Sequence, residues 1–201
     1  MLLFLFSCTT VSTYPLNLSY LPKTQLGKKE NKFITVALFN DKRVVMDKRF
    51  LGKRDNEINF ISLPAAPAET IAVAFQKYLE SRGYSANRLE EVWDGTNKSI
   101  IPGAGEMVIG GTIEDFAITV NSDLVQTEYA CKVKLFVVLA DPSKQAIKHQ
   151  ETIEVTSSLT TVPFSLDQAQ QLMNNVLAEV VEKSLADINS HLSLPTEQLS
   201  R

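Results

Sequence analysis

The stretch Met107-Val-Ile-Gly-Gly-Thr-Ile-Glu-Asp-Phe-Ala-Ile-Thr-Val-Asn121 decides the fold. Ile109, Gly111 and Ile113 fall on one parity, and Phe116, Ile118 and Val120 on the other. A period of two is the mark of a strand. One slip of parity within it predicts a β-bulge near Glu114-Asp115, next to Gly110-Gly111. The following run, Gln126–Ala140, alternates Tyr129, Cys131, Val133, Leu135 and Val137 on one face. Asp141-Pro142-Ser143-Lys144 then turns the chain into a third run, Ala146–Leu159. Three adjacent strands joined by short turns predict an antiparallel meander.

After the meander, Ser165-Leu-Asp-Gln168 matches a capping box that opens a helix. Met173, Val176, Leu177, Val180, Val181, Leu185, Ile188 and Leu192 form its apolar stripe, which runs to about His191. Pro195 ends it, and 195–201 reads as a polar tail. Before the meander, Phe33–Phe39 is short and rich in β-branched and aromatic residues, as in a strand buried on both faces. Residues 41–64 show no period and contain Gly52 and Pro64, so a long loop with room for short extended pieces is expected there. Pro67 opens a helix to about Arg82, with Ile71, Ala74, Phe75, Tyr78 and Leu79 on one face and Gly83 as its C-terminal cap. Tyr84–Asn87 reads as a short strand or connector, and Asp94–Asn97 and Pro102–Gly105 as turns. The order β-α-(β)-β-β-β-α predicts a single α+β domain over 32–194: a mainly antiparallel sheet with two long helices packed on one face.

The N-terminus carries a different kind of signal. Met1-Leu-Leu-Phe-Leu-Phe6 is followed by Ser7 and Cys8, the shape of a lipoprotein signal peptide over 1–7 with Cys8 as the lipidated residue. The apolar run is shorter than the about 7–15 residues of a usual signal and lacks a basic lead. A start upstream of Met1 is therefore expected; Phe6 is also bulkier than the small residue common at its position. Thr9-Thr10-Val11-Ser12-Thr13 and then Tyr14-Pro15 read as the beginning of a flexible tether over 8–31. The apolar run falls well short of the about 20 residues that span a bilayer.

Composition narrows the partners. The chain is 44% hydrophobic and 21% charged with a net charge of −3, which speaks against a general nucleic-acid binder. Its basic stretch, Lys42 to Arg54, is interleaved with Asp41, Asp47, Asp55 and Glu57 and reads as a solvated loop. With Cys8 acylated, the second of the two cysteines, Cys131, has no intramolecular partner and reads as a small core residue.

Catalytic patterns are scarce. The two histidines, His149 and His191, stand without a second ligand at zinc spacing. Gly103, Gly105, Gly110 and Gly111 miss the dinucleotide fingerprint, and no phosphate-cradling Gly-Lys-Ser/Thr is present. Glu90-Glu91 and Glu114-Asp115 are neighbours that a strand points to opposite faces. Trp93 beside Asp94-Gly95 is either a packed side chain or an anchor for a ligand. No catalytic residue, metal or cofactor is therefore expected. One constellation remains: Asp41 and Arg43 at the end of a buried strand, with Gly52 beyond, either clamping a loop by an ion pair or forming a partner-binding loop.

Taken together, these segments resemble the YajG-like family of small bacterial lipoproteins. The features that carry the likeness are the run ending in Cys8 and Val36–Arg43 with Leu51-Gly52, followed by Tyr78-Leu-Glu-Ser-Arg-Gly-Tyr84, Gly111-Thr-Ile-Glu-Asp-Phe116 and a long C-terminal helix. The resemblance implies a lipid-anchored protein of the bacterial envelope that faces the periplasm, with no established enzymatic activity. Thr9 and Thr10 include no Asp, which by the usual enterobacterial sorting rule leans towards the outer membrane. The architecture is also similar to the lipoprotein that plugs the lipopolysaccharide-export barrel and to auxiliary lipoproteins of lipid-transport ABC systems. Two expectations follow: a non-catalytic binding or assembly module for an envelope protein partner, or an accessory that binds lipopolysaccharide or phospholipid. A flat polar sheet face would favour the first, and a contiguous apolar groove the second.

Overall fold

The computed structural model describes residues 12–22 and 32–192. Its centre is the predicted meander: β6 (Met107–Ser122), β7 (Thr127–Asp141) and β8 (Ala146–Thr161), paired antiparallel. The register of β6 on β7 shifts between Ile113 and Asp115, where the parity slip in the sequence places a bulge. One parity of β7, from Tyr129 through Cys131, Val133 and Leu135 to Val137, is buried under the helices.

The helices α1 (Pro67–Ser81) and α2 (Leu166–Leu192) pack on that face. Ile71, Phe75 and Leu79 of α1 and Met173, Leu177, Val180 and Leu185 of α2 meet Ile113, Phe116 and Ile118 of β6 in one core. Apolar positions three and four apart put these side chains on a single stripe. The end of α1 is a Schellman motif: the Tyr84 N–H donates to Leu79 O at 3.1 Å and the Gly83 N–H to Glu80 O at 3.0 Å. Gly83, at φ 93°, makes the required left-handed step. At the start of α2 the capping box is half built. The Gln168 N–H donates to Ser165 Oγ at 3.4 Å, but the Ser165 N–H is taken by Tyr129 Oη at 2.7 Å, so the Gln168 amide does not close the box.

Three expectations need correction. First, the tether over 8–31 does not hold for its middle. Thr13–Asn17 is a strand, β1, lying parallel to β4 (Ile58–Leu63), with Leu16, Leu18 and Tyr20 in the core. Pro15 fits this strand because β1 lies at the sheet edge, where proline is tolerated, and so short a strand shows no period in the sequence. Second, 41–64 is no long loop: it contains β3 (Phe50–Arg54) and β4, joined by the three-residue turn Asp55–Glu57. Asp55 (φ 51°) and Asn56 (φ 60°) both sit left-handed in that turn, the conformation for which this residue pair is suited. Third, the short strand or connector expected over Tyr84–Asn87 is the opening of a longer edge strand, β5 (Ser85–Trp93). The expected mainly antiparallel sheet also carries parallel ladders outside its meander: β2 (Phe33–Asp41) runs parallel to β5 and β6, and β3 runs parallel to β6. The α+β class stands, with eight strands in one sheet among the described residues. Residues 1–11, 23–31 and 193–201, which include Cys8 and the polar tail, lie outside the described residues.

A second apolar cluster covers part of the opposite face. Trp93 is fully buried there with Ala37, Ile100, Val108, Val138 and Ala140, and its Nε1–H donates to Thr96 O at 3.1 Å. Trp93 is thus a packed side chain.

Candidate functional site

One edge of β6 is shared by two strands. β2 pairs with it as far as Ile113, and β3 takes over from Ile118. Neither strand pairs with the stretch between, and Arg43 occupies that gap. Its Nη1 donates to Phe116 O at 3.0 Å and to Phe50 O at 2.8 Å. Nη2 donates to Lys48 O at 2.6 Å and to Asp41 Oδ2 at 2.7 Å, and Nε to Asp41 Oδ1 at 3.0 Å. All the donors of the guanidinium fork are used. A side chain has taken the place of a missing strand, satisfying backbone carbonyls that would otherwise be orphaned.

Asp41 ends β2 with its side chain only 7% exposed. Burial pushes its carboxyl pKa up, but the hydrogen bonds and charge of Arg43, with the nearby Lys48 ammonium, outweigh burial and hold it below the ordinary range. Lys48 closes the base of the loop a second time, donating from Nζ to Arg43 O at 2.7 Å and to Asp41 O at 3.0 Å. Gly52 lies across the gap at φ 151°, and a Cβ there would stand 1.8 Å from Ile118 O, so only glycine fits this crossing of β3 on β6.

The structure therefore brings the three predicted residues Asp41, Arg43 and Gly52 together at the fork of the sheet, and gives each a structural task. Neither charged group is left free to act on a substrate. What the brace presents is the segment between. Val44 and Met46 are fully exposed on it, while the Phe50 N–H to Asp47 O bond and the Asp47–Arg49 ion pair at 2.9 Å hold the far side of the turn. Sequence reasoning missed these two side chains. Their signal was an apolar run, Val44-Val45-Met46, inside a strongly charged segment.

The remaining candidates are accounted for locally. Glu114 pairs with Lys134 at 2.8 Å and Asp115 with Lys132 at 3.7 Å, across strands on the face away from the helices. A shallow depression of about 530 Å³ on that face has a mixed lining, with Ala117 and Ala130 beside Asp115, Thr119, Lys132 and Thr156. His149 Nε2 lies 3.6 Å from Glu151 Oε1. Glu90 and Glu91 are exposed on β5. Cys131 is buried, and burial pushes its thiol up to about 12, far from a reactive thiolate. Among the described residues no three His, Cys, Asp or Glu side chains gather as a metal site, and no helix is long and apolar enough to cross a membrane.

No family model and no curated protein matches the sequence. Solved structures do resemble the fold. A DUF330 protein from Xanthomonas campestris superposes with a TM-score of 0.56 at 12% identity, covering 91% of this chain and 99% of its own. A hypothetical protein from Chlamydia trachomatis gives a TM-score of 0.48 at 12% identity over 82% of this chain and 99% of its own. A minor lipoprotein from Acinetobacter baumannii gives 0.45 at 11% identity over 80% and 94%. The likeness to the Xanthomonas protein is one of fold: this chain shares its α+β architecture over nearly the whole of both chains.

Proposed function

We propose that this chain is a lipid-anchored protein of the bacterial envelope that serves as a non-catalytic binding or assembly module, with the braced loop 42–49 as its contact. The anchor is Cys8, behind the signal-like run of residues 1–7. In this reading the domain faces the periplasm from the outer membrane, as in the YajG-like lipoproteins that the sequence resembles. The observation that carries the contact is the pairing of a locked base with an exposed tip: Arg43 has its donors satisfied, while Val44 and Met46 are left in water. A preorganised apolar tip binds without the entropic cost of ordering a loop.

A photo-crosslinking residue at Met46 in intact cells tests the contact. A discrete adduct is expected, lost on Val44→Asp and absent when the crosslinker stands at Glu90 on β5. Adducts from Met46 no stronger than those from Glu90 would overturn the assignment of the loop.

A further inference from the structure

The strand β1 fixes where the chain leaves the anchor. Ser12 O accepts a hydrogen bond from the Asn59 N–H at 2.9 Å, and Thr13 pairs with Asn59 at the start of β4. This is the end of the sheet where β3 finishes at Arg54 and β6 at Ser122, since Arg54 pairs with both Ile58 and Val120. The β6–β7 turn lies there too, as does the end of β8, because Thr127 pairs with Ser122 on one side and Thr161 on the other.

Three large apolar side chains stand in water at that end. Leu124 is 104% exposed, Val125 72% and Val162 71%. They rim one depression with Arg54, Pro163 and Phe164. Scattered exposed apolar residues are ordinary, but a cluster on one end marks a contact surface. The cluster is held firmly. Asp123 Oδ1 accepts from the Val125 and Gln126 N–H groups, each at 2.7 Å, which closes the turn. Phe164, next to Val162 and Pro163, stacks between Tyr14 of β1 and Tyr129 of β7, with ring centroids 6.2 and 6.1 Å away.

Cys8 is four peptide steps from Ser12, a reach of at most about 14 Å even when fully extended. A lipid on Cys8 therefore holds this end, and no other, against the membrane. We infer that the end of the sheet bearing Leu124, Val125 and Val162 rests on the bilayer surface, those side chains seated among the headgroups; the inference rests on the lipidation of Cys8 proposed above. The charges there fit an apolar contact. Lys53 and Arg54 stand against Asp55, Glu57, Asp123 and Glu128, and Arg54 is already engaged, 3.0 Å from Asp55 and 4.0 Å above the Phe164 ring. An excess of acid gives no electrostatic pull towards anionic lipid, so neutral phosphatidylcholine suffices and salt has little effect.

The test uses the full acylated chain in phosphatidylcholine vesicles containing brominated acyl chains, which quench indole emission at shallow depth. Leu124→Trp and Val162→Trp place an indole on the tip, and Lys144→Trp places one on the turn at the opposite end of β7. The native Trp93 is buried and supplies a constant background. Blue-shifted, quenched emission is expected from the two tip variants, unchanged in high salt, with none from Lys144→Trp. Vesicle-bound protein whose tip indole emits as in water and escapes quenching overturns the inference while leaving the Cys8 reading intact, and assigns this end to a protein partner instead. Protein that carries no acyl group and does not float with vesicles overturns both.

Discussion

Arg43 reaches across the sheet to Phe116, 73 residues away, donating to its carbonyl oxygen at 3.0 Å. This contact joins the two halves of the β6 edge, because β2 pairs before it and β3 after it. Removing the guanidinium leaves Asp41 charged and buried, and strands the carbonyls of Phe50 and Phe116. Arg43→Leu is expected to cost about 3–5 kcal/mol, the usual penalty for breaking a buried pair from one side. Urea unfolding measures it, and Asp41→Asn combined with Arg43→Leu should cost less than the two single losses summed.

The same pair sets an acid limit. Asp41 titrates below its ordinary value of 3.8 in the folded protein. A carboxyl whose pKa is depressed by folding contributes stability above its unfolded pKa and loses it as the pH falls through the folded one. Stability should thus decline as the pH drops below about 4, and Asp41→Asn should flatten that decline. Thermal melting across this range checks the slope. A variant that keeps the full acid dependence would show that the pair is not its source.

Gly52→Ala tests the crossing of β3 on β6. The added Cβ meets the Ile118 carbonyl at 1.8 Å, and the backbone there cannot yield without breaking the ladder. A loss of at least about 2 kcal/mol is expected from strain and displacement combined. Val44→Asp and Met46→Asp, by contrast, should stay within about 0.5 kcal/mol of the parent, as substitutions at exposed positions do. A large loss from either would show that the tip is part of the fold.

Cys131 gives a chemical readout of the core. Its thiol is pushed up to about 12 by burial, so alkylation at pH 8 should be slow in the native protein and complete in urea. Fast native alkylation of a Cys8→Ser chain would contradict its placement under the helices.

The meander, both helices and the bulge were legible because long elements repeat their period often enough to be read. Ile109 to Val120 shows two parities with one slip, and Met173 to Leu192 shows a helical stripe. β1, β3 and β4 were not legible, since strands of five or six residues show too few alternations to stand out from a loop. At the candidate site, the Asp41–Arg43 pair could be read from its spacing and Gly52 from its backbone freedom. Val44 and Met46 could not, because whether an apolar residue is buried depends on a tertiary gap that Arg43, and not they, fills. The tip at Leu124 was hidden for a related reason. Only the pairing of Thr13 with Asn59 reveals that the anchor and this turn share one end.

The most direct measurement of the central claim is labelling with radioactive palmitate in growing bacteria, comparing the parent chain with Cys8→Ser. Incorporation into the parent, a shift to the mass expected for cleavage before Cys8, and loss of both in the variant are the predicted result. Equal labelling of the two chains, or none in either, would contradict the account.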